Sequence, residues 1–174
     1  YLILFSVSNI AKMKNLTRNH LYIFVFILLS GFSAKAQKGS DVIHQVSCFD
    51  STLKSQADSL KLLLYKQGFV VVREATMTME SEYEIPVNVP LNEGSWYHIA
   101  FIGNMTSKLY EVRMYDNDER QVVYQKHYGD GMESNVINYS YIPKFSEYHM
   151  IKPVQVNKKK KNLCGYVMLL KKVK

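Results

Sequence analysis

The segment KLYEVRMYDNDERQVVYQKHY, residues 108–128, decides the fold class. Apolar Tyr110, Val112 and Met114 alternate with charged residues, which is the period of a strand with one buried face. The polar run DNDE at 116–119 is typical of a turn, and a second strand-like run follows it. The segment therefore predicts a β-hairpin.

Other segments with strand character lie on both sides of this hairpin and are separated by turns about every ten residues. Short strands at this spacing are typical of a β-sandwich. Pro86 and Pro90 restrict their segment to an edge strand or an irregular passage. We therefore predict a mostly β protein, an antiparallel, jelly-roll-like β-sandwich of seven or eight strands. The predicted strands cover residues 69–79, 81–91, 96–104, 108–116, 120–128, 135–143, 146–156 and 164–172.

One amphipathic helix of about 16 residues is predicted before the first strand. Asp50 or Ser51 is the expected N-cap, and Gly68 lies where a glycine commonly ends a helix. An isolated helix of this length is marginally stable, so its apolar stripe must pack on something. The stripe consists of Leu53, Ala57, Leu60 and Leu64.

Residues 13–37, MKNLTRNHLYIFVFILLSGFSAKAQ, contain the three parts of a secretory signal peptide. A short cationic start precedes an apolar run at 21–29, and Ala-Lys-Ala at 34–36 is a cleavage site. The apolar run is about half of the roughly 20 residues that a spanning helix needs. We predict a signal peptide at 13–36 of bacterial type, and a secreted or periplasmic protein.

The leader divides the chain into four parts. Residues 1–12 begin without a methionine and are predicted to be upstream translation rather than native protein; the alternative is a longer start of the signal peptide. Residues 37–68 are predicted to form a lead-in and the helix. Residues 69–174 are predicted to form the β-sandwich domain.

The charge of the chain depends on the leader. The whole sequence has 22 basic and 15 acidic residues, a net charge of +7. Four basic residues and no acidic one lie within the first 36 residues, so cleavage leaves 18 basic residues and a net charge of +3. Most of the excess of basic residues, which could otherwise indicate nucleic-acid binding, thus lies in the leader. We predict no nucleic-acid partner and, after cleavage, no membrane span.

Three stretches carry a family resemblance: LYEVRMYDNDERQVVY at 109–124, YSYIPKFSEYHMIKPV at 139–154 and GYVMLL at 165–170. They resemble the small secreted β-sandwich modules of the bacterial pre-peptidase C-terminal type. In those modules a strand ends in an aromatic-Asp turn, and a later Ser/Gly-x-Tyr segment enters the penultimate strand. Ser146-Glu147 departs from the glycine of that pattern. The resemblance implies a jelly-roll accessory domain without catalysis.

Cys48 and Cys164 are the only cysteines. In an oxidising compartment such a pair can form a disulfide, which would join the start of the helix to the last strand. The alternative is two buried thiols, because cysteine packs well as a small apolar residue.

Asp116 and Asp118 are candidate calcium ligands, because hard cations prefer oxygen. No glutamate follows at the spacing of a calcium-binding loop. A hairpin turn, which Asp and Asn also favour, is the preferred interpretation. We predict no metal and no cofactor.

Catalytic motifs are lacking. The G-x-S-x-G nucleophile motif does not occur, and no histidine pair has the spacing of a zinc site. The alternating Glu80, Glu82 and Glu84 are interpreted as one solvated strand face. We predict that the protein is not an enzyme; the enzymatic alternative is a small hydrolase that uses His98 or His149 beside an acid.

Thirteen tyrosines, eight phenylalanines and one tryptophan are a large aromatic content, and those left exposed on a sheet could stack on sugar rings or bind a protein. Four of them are predicted as binding residues: Trp96, Tyr115, Tyr139 and Tyr141.

The lysine run at 158–161 is interpreted as a solvated turn, with contact to phosphate or acidic polysaccharide as the alternative.

These observations favour a secreted, non-enzymatic β-sandwich that binds a polysaccharide or a protein at the cell envelope. The alternative is a structural or interaction subunit of an envelope complex, in which the stripe of Leu53, Leu60 and Leu64 docks on a partner.

Overall fold

Residues 47–129 and 135–173 are described by the computed structural model of the protein, and all of them belong to the unit His44–Lys174. The predictions for residues 1–12, for the signal peptide at 13–36 and for most of the lead-in lie outside the described residues. The division into domains therefore stays a prediction.

One helix and eight strands make up the secondary structure of the described residues. Every strand pair is antiparallel. The elements are α1 (Ser51–Lys66), β1 (Phe69–Glu80), β2 (Val87–Leu91), β3 (Tyr97–Ile102), β4 (Leu109–Tyr115), β5 (Gln121–Tyr128), β6 (Val136–Tyr141), β7 (Glu147–Val156) and β8 (Asn162–Lys172).

The strands form two four-stranded sheets. Sheet A has the order β1-β8-β3-β6, and sheet B has the order β2-β7-β4-β5. Successive strands along the chain alternate between the sheets in the first half of the fold, and the last strands return beside the first ones. This order is that of an eight-stranded jelly roll. The predicted mostly β fold, an antiparallel sandwich with one helix before it, is confirmed.

The core between the sheets is built by alternation. Tyr110, Val112 and Met114 of β4 have no exposed surface, as the pattern in residues 108–116 predicts. They pack against residues such as Ile99 and Phe101 of β3, which belong to the same core. The hairpin of β4 and β5 is therefore held by one buried face and a short turn.

Strand β8 is buried on both of its faces. Val167 and Leu169 belong to the core between the sheets, whereas Tyr166, Met168 and Leu170 belong to a second core on the other side of sheet A. A strand with this composition needs a covering layer on each side, because either face left in water would expose large apolar side chains.

The helix α1 provides the second layer. Asp50 is its N-cap and accepts hydrogen bonds from the backbone N–H groups of Thr52 and Leu53. Leu53, Ala57 and Leu64 are buried against the outer face of sheet A. The predicted stripe is confirmed. The hypothesis that Leu53, Leu60 and Leu64 dock on a partner is wrong, since the stripe packs on the chain's own sheet and Leu60 is half-buried beside it.

The segment 81–91 is less regular than the sequence predicts. Only Val87–Leu91 forms a strand, which lies at the edge of sheet B and includes Pro90. Glu82 precedes it in a turn with a φ of 74°, so Glu80, Glu82 and Glu84 do not share one strand face. Glu84 instead reaches across to two basic residues of sheet B.

Cys48 and Cys164 form a disulfide, with their Cα atoms 5.7 Å apart. The interpretation as two buried thiols is wrong. The bond joins the chain just before α1 to strand β8, so the start of the helix is covalently attached to the sheet that the helix covers.

Packing of α1 on its own sheet is testable with two neighbouring leucines. Leu64 is 3% exposed and Leu63 is 55% exposed. We expect Leu64→Ala to lower the free energy of unfolding by about 2–5 kcal/mol, because a cavity remains in the second core. Leu63→Ala should change it by less than about 0.5 kcal/mol. Urea unfolding followed by circular dichroism measures both, and equal effects of the two substitutions would contradict this packing.

The disulfide is expected to contribute strongly to stability. It links residues 116 positions apart. In the chain-entropy model, closing a loop of this length is worth about 4–5 kcal/mol. The double variant Cys48→Ala, Cys164→Ala should therefore unfold at a much lower urea concentration. Wild-type protein in a reductant should behave like the variant; an unchanged midpoint in both would show that the bond adds nothing.

Candidate functional site

The predicted binding residue Trp96 lies just before β3, on the helix-bearing side of sheet A. Its ring packs edge-on against Phe69, with the ring centroids 5.7 Å apart. The ammonium group of Lys172 lies 4.0 Å from its ring centroid, in a cation–π contact. Trp96 is 41% exposed, so part of the ring is open to solvent.

Tyr139 and Tyr141 lie on β6 and pack against the core between the sheets. The Tyr139 hydroxyl contacts the sulfur of Met114, and burial raises the pKa of Tyr139 well above its usual value. The Tyr141 hydroxyl lies 3.1 Å from Nε2 of His149, and burial raises its pKa as well. Neither ring lies flat on an open surface.

Tyr115 is at the end of β4 and lies on the outer face of sheet B, where its ring contacts the ammonium group of Lys152. The structure therefore separates the four predicted residues: Trp96 is on the outer side of sheet A, two tyrosines face the core, and Tyr115 is on the outer side of sheet B.

The outer face of sheet B has no helix or strand over it among residues 47–129 and 135–173. We call it the open face. Opposite residues of an antiparallel pair project to the same side, so the strand register defines its rows. One row contains Lys152, Arg113 and Tyr124, on β7, β4 and β5 in that order. Next to it along the strands lie Glu111 on one side and Tyr115 on the other.

An ion network occupies the centre of the open face. A guanidinium nitrogen of Arg113 lies 2.7 Å from Oε1 of Glu84, and a second one contacts Glu111. Nζ of Lys152 lies 3.2 Å from Oε2 of Glu84. Two carboxylates and two cations therefore compensate each other, and the network as a whole is neutral.

Glu111 is the unusual member, because it is only 6% exposed on an outer sheet face. The hydroxyl of Tyr124 donates to its Oε2 at 3.4 Å, and Arg113 covers its other side. Burial by itself lowers the pKa of Arg113, but the charges of Glu111 and Glu84 outweigh it and raise that pKa. The guanidinium group is thus held charged in the middle of the face.

Exposed tyrosines surround this network. Tyr124 is 47% exposed, and Tyr128 and Tyr148 are each 63% exposed. Lys126 lies 5.4 Å from the ring centroid of Tyr128, as Lys152 lies 5.0 Å from that of Tyr115. Tyr124 has no such cation contact, so its ring is the aromatic surface most available at the centre of the face.

The turn between β4 and β5 uses the carboxylates that were calcium candidates. Asp116 accepts hydrogen bonds from the backbone N–H groups of Asp118 and Arg120 and from Nε of Arg120. Burial by itself raises the pKa of Asp116, but these bonds outweigh it and lower that pKa. Asp118 also pairs with Arg120, at 3.0 Å. The arrangement is the hairpin turn, and the described residues contain no cluster of three metal-ligating side chains.

The two histidines of the hydrolase hypothesis do not meet. His98 is on the outer face of sheet A, where Nδ1 lies 3.2 Å from the Ser140 hydroxyl and burial lowers its pKa. His149 is on the inner face of sheet B, 1% exposed, with Glu147 3.8 Å from Nε2. A sheet and the core separate the two imidazoles, so they cannot act in one pocket.

The lysine run 158–161 forms the connection between β7 and β8. All four lysines are exposed, and the side chain of Asn157 accepts hydrogen bonds from the backbone N–H groups of Lys159 and Lys160. This geometry is that of the solvated turn.

Sequence reasoning missed Tyr124, Tyr128 and Tyr148 and the role of Glu84. The signal for two of them was present, since Tyr124, Lys126 and Tyr128 alternate along one side of the predicted second hairpin strand. Glu84 had no such signal, because it reaches the open face from a loop of irregular backbone.

No family model matches the chain, and no curated protein matches it either. The pre-peptidase C-terminal resemblance is therefore not shown. Within the described residues, no helix is long and apolar enough to cross a membrane.

Solved structures with a similar arrangement of strands include carbohydrate-binding modules. A CBM4 module is 15% identical over 60% of this chain and 79% of its own, with a TM-score of 0.40. A CBM61 module in complex with β-1,4-galactotriose is 12% identical over 62% of this chain and 84% of its own, with a TM-score of 0.35. An arabinose-bound α-L-arabinofuranosidase is 10% identical over 60% of this chain and 23% of its own, with a TM-score of 0.34. None of these likenesses assigns a family.

The buried carboxylate at the centre of the open face makes Arg113 important for stability. Arg113→Met should lower the free energy of unfolding by about 2–3 kcal/mol, because Glu111 keeps a desolvated charge without its main partner. The double variant Glu111→Gln, Arg113→Met should recover part of the loss, since the amide carries no charge. Urea unfolding of the three proteins tests this; a single variant as stable as the wild type would show that Glu111 does not depend on Arg113.

Proposed function

We propose that this protein is a secreted, non-enzymatic binding module that holds a neutral polysaccharide chain on the open face of sheet B. The observation that carries the proposal is the row formed by the exposed ring of Tyr124, the guanidinium group of Arg113 and the ammonium group of Lys152. The row crosses three strands and spans about 10 Å.

The chemistry of this row suits a sugar. A pyranose ring has an apolar face, which stacks on an aromatic ring, and hydroxyl groups at its rim, which form hydrogen bonds with charged planar groups. Arg113 and Glu84 hold each other at 2.7 Å and are fixed before a ligand arrives. A prearranged site of this kind avoids the entropic cost of ordering long side chains on binding.

The charge balance favours a neutral ligand. Glu84 and Glu111 offset Arg113 and Lys152 in the centre of the face. An anionic polysaccharide or a phosphate would meet a cluster without net positive charge there, because Arg113 and Lys152 are already paired with carboxylates.

A protein ligand fits the open face less well. The centre of a protein interface is usually depleted in charged residues and rich in packed apolar ones. Here the centre is an ion network, and the tyrosines are spread around it. We therefore favour the polysaccharide over the protein partner as the ligand of this face.

Secretion is part of the proposal. It rests on the signal-peptide pattern at residues 13–36, and the disulfide between Cys48 and Cys164 is compatible with an oxidising compartment. A binding module outside the cytoplasm would meet envelope or extracellular polysaccharides directly, which agrees with an accessory role without catalysis.

The proposal is tested by affinity gel electrophoresis of the full chain in gels that contain soluble xylan, galactan, mixed-linkage β-glucan or the anionic polygalacturonate. We expect retardation by at least one neutral polymer and none by polygalacturonate. Tyr124→Ala should weaken the retarding interaction about tenfold, because the stacking surface is lost.

Tyr65→Ala is the matched control, since Tyr65 is 69% exposed on α1, which lies on sheet A. It should bind as the wild type does. Retardation that both substitutions leave unchanged would show that the ligand binds elsewhere, and retardation by polygalacturonate alone would contradict the neutral ligand.

A further inference from the structure

We propose that two copies of this chain associate through strand β6, whose free edges pair antiparallel so that the two A sheets become one continuous sheet. The inference is independent of the polysaccharide site, which lies on the other sheet. It rests on the chemistry of the four edge strands and on the surface beside β6.

Three of the four edge strands have features that prevent pairing with another chain. Strand β1 carries Arg73, Glu74 and Glu80 and has a register irregularity near Val71. Strand β2 has only five residues, one of which is a proline. Strand β5 carries Lys126 and pairs with β4 through a second register irregularity. Charges, prolines, short length and bulges are the devices that protect edges.

Strand β6, with the sequence VINYSY, lacks charges, prolines and register irregularities. It contains no charged residue and no proline, and its register with β3 is regular over all six positions. Among the described residues it pairs only with β3 in sheet A, so every second residue directs its N–H and C=O groups away from that sheet. A regular, uncharged free edge is a template for another strand.

Among the described residues, the groove next to this edge is lined by uncharged side chains. A groove of about 640 Å³ runs between α1 and the outer side of β6, and it is lined by Ser, Gln, Leu, His, Val and Asn side chains only. Leu63 on the helix side is 55% exposed, and Ile142 directly after β6 is also 55% exposed. The charged residues Lys54, Asp58 and Lys61 of the helix lie outside this lining.

A second copy fits this edge because the edge complements itself. A two-fold axis perpendicular to the sheet pairs a strand with its own copy in antiparallel direction. Opposite residues of the two strands must then project to the same face. This is possible only when the axis passes beside one residue of β6, which then lies opposite the same residue of the second copy. Near the middle of the strand this residue is Asn138 or Tyr139. The uncharged sequence brings no like charges together, although the chain as a whole is basic.

The experiment uses analytical ultracentrifugation of the full chain over a wide range of concentration. We expect a reversible dimer. Asn138→Lys should raise its dissociation constant about tenfold or more. With the axis at residue 138, the two substituted lysines lie directly opposite each other; with the axis at residue 139, they are diagonal neighbours on the same face. In both cases two ammonium groups are brought close together. Asn117→Lys is the matched control: it adds the same charge at an exposed residue of the β4–β5 turn and should leave the dimer unchanged.

Hydrogen exchange of the β6 amides provides a second readout. In the dimer, outward N–H groups of residues 136–141 should be protected in proportion to protein concentration, and Asn138→Lys should remove that protection while the melting temperature stays near that of the wild type. A wild-type chain that is monomeric at all concentrations overturns the proposal, as does a dimer that Asn138→Lys leaves intact. A monomer that instead binds a synthetic VINYSY peptide also overturns it, in favour of a peptide-binding edge.

Discussion

The burial of strand β8 on both faces is the constraint on which the rest of the structure depends. Val167 and Leu169 need a cover on one side of sheet A, and Tyr166, Met168 and Leu170 need one on the other. Sheet B covers the first face and the helix covers the second. Because the disulfide attaches the chain before the helix to Cys164 of the same strand, the second cover is held covalently to the element that requires it.

This arrangement leaves the two sheets with different outer faces. Helix α1 covers the part of the outer face of sheet A around β8, whereas sheet B presents its outer face to solvent among the described residues. The ion network of Glu84, Glu111, Arg113 and Lys152 is placed on the open one. Glu111 is buried beneath Arg113 and Tyr124 and is not part of the apolar core. Such a pair adds little stability compared with apolar residues in both places, although the loss of one partner alone is costly.

A buried polar residue fixes the loop between β3 and β4. Gln155 has no exposed surface; its Oε1 accepts hydrogen bonds from the backbone N–H of Asn104 and from the Ser107 hydroxyl, while its Nε2 donates to the backbone oxygen of Cys164. The hydroxyl of Tyr110 donates to the backbone oxygens of Asn104 and Ser107. A buried network in which every polar group has a hydrogen-bond partner favours a single arrangement of the residues it joins. The end of the sandwich that contains the β3–β4 loop is therefore held rigidly behind the open face.

The sequence by itself determined the elements and their buried sides, because alternation and helical spacing are local properties of the chain: the β4 residues Tyr110, Val112 and Met114 and the helix residues Leu53 and Leu64 are buried as predicted. It also predicted the cysteine pair as one of two alternatives. Only the tertiary structure decided which aromatic rings face solvent, since both faces of a strand can carry tyrosine: Tyr141 turned to the core and Tyr124 to the surface. Only the tertiary structure places Glu84, in an irregular loop, next to Arg113, which is 29 positions away in the sequence. Contacts between distant residues follow from the order of the strands and not from any local pattern of the sequence.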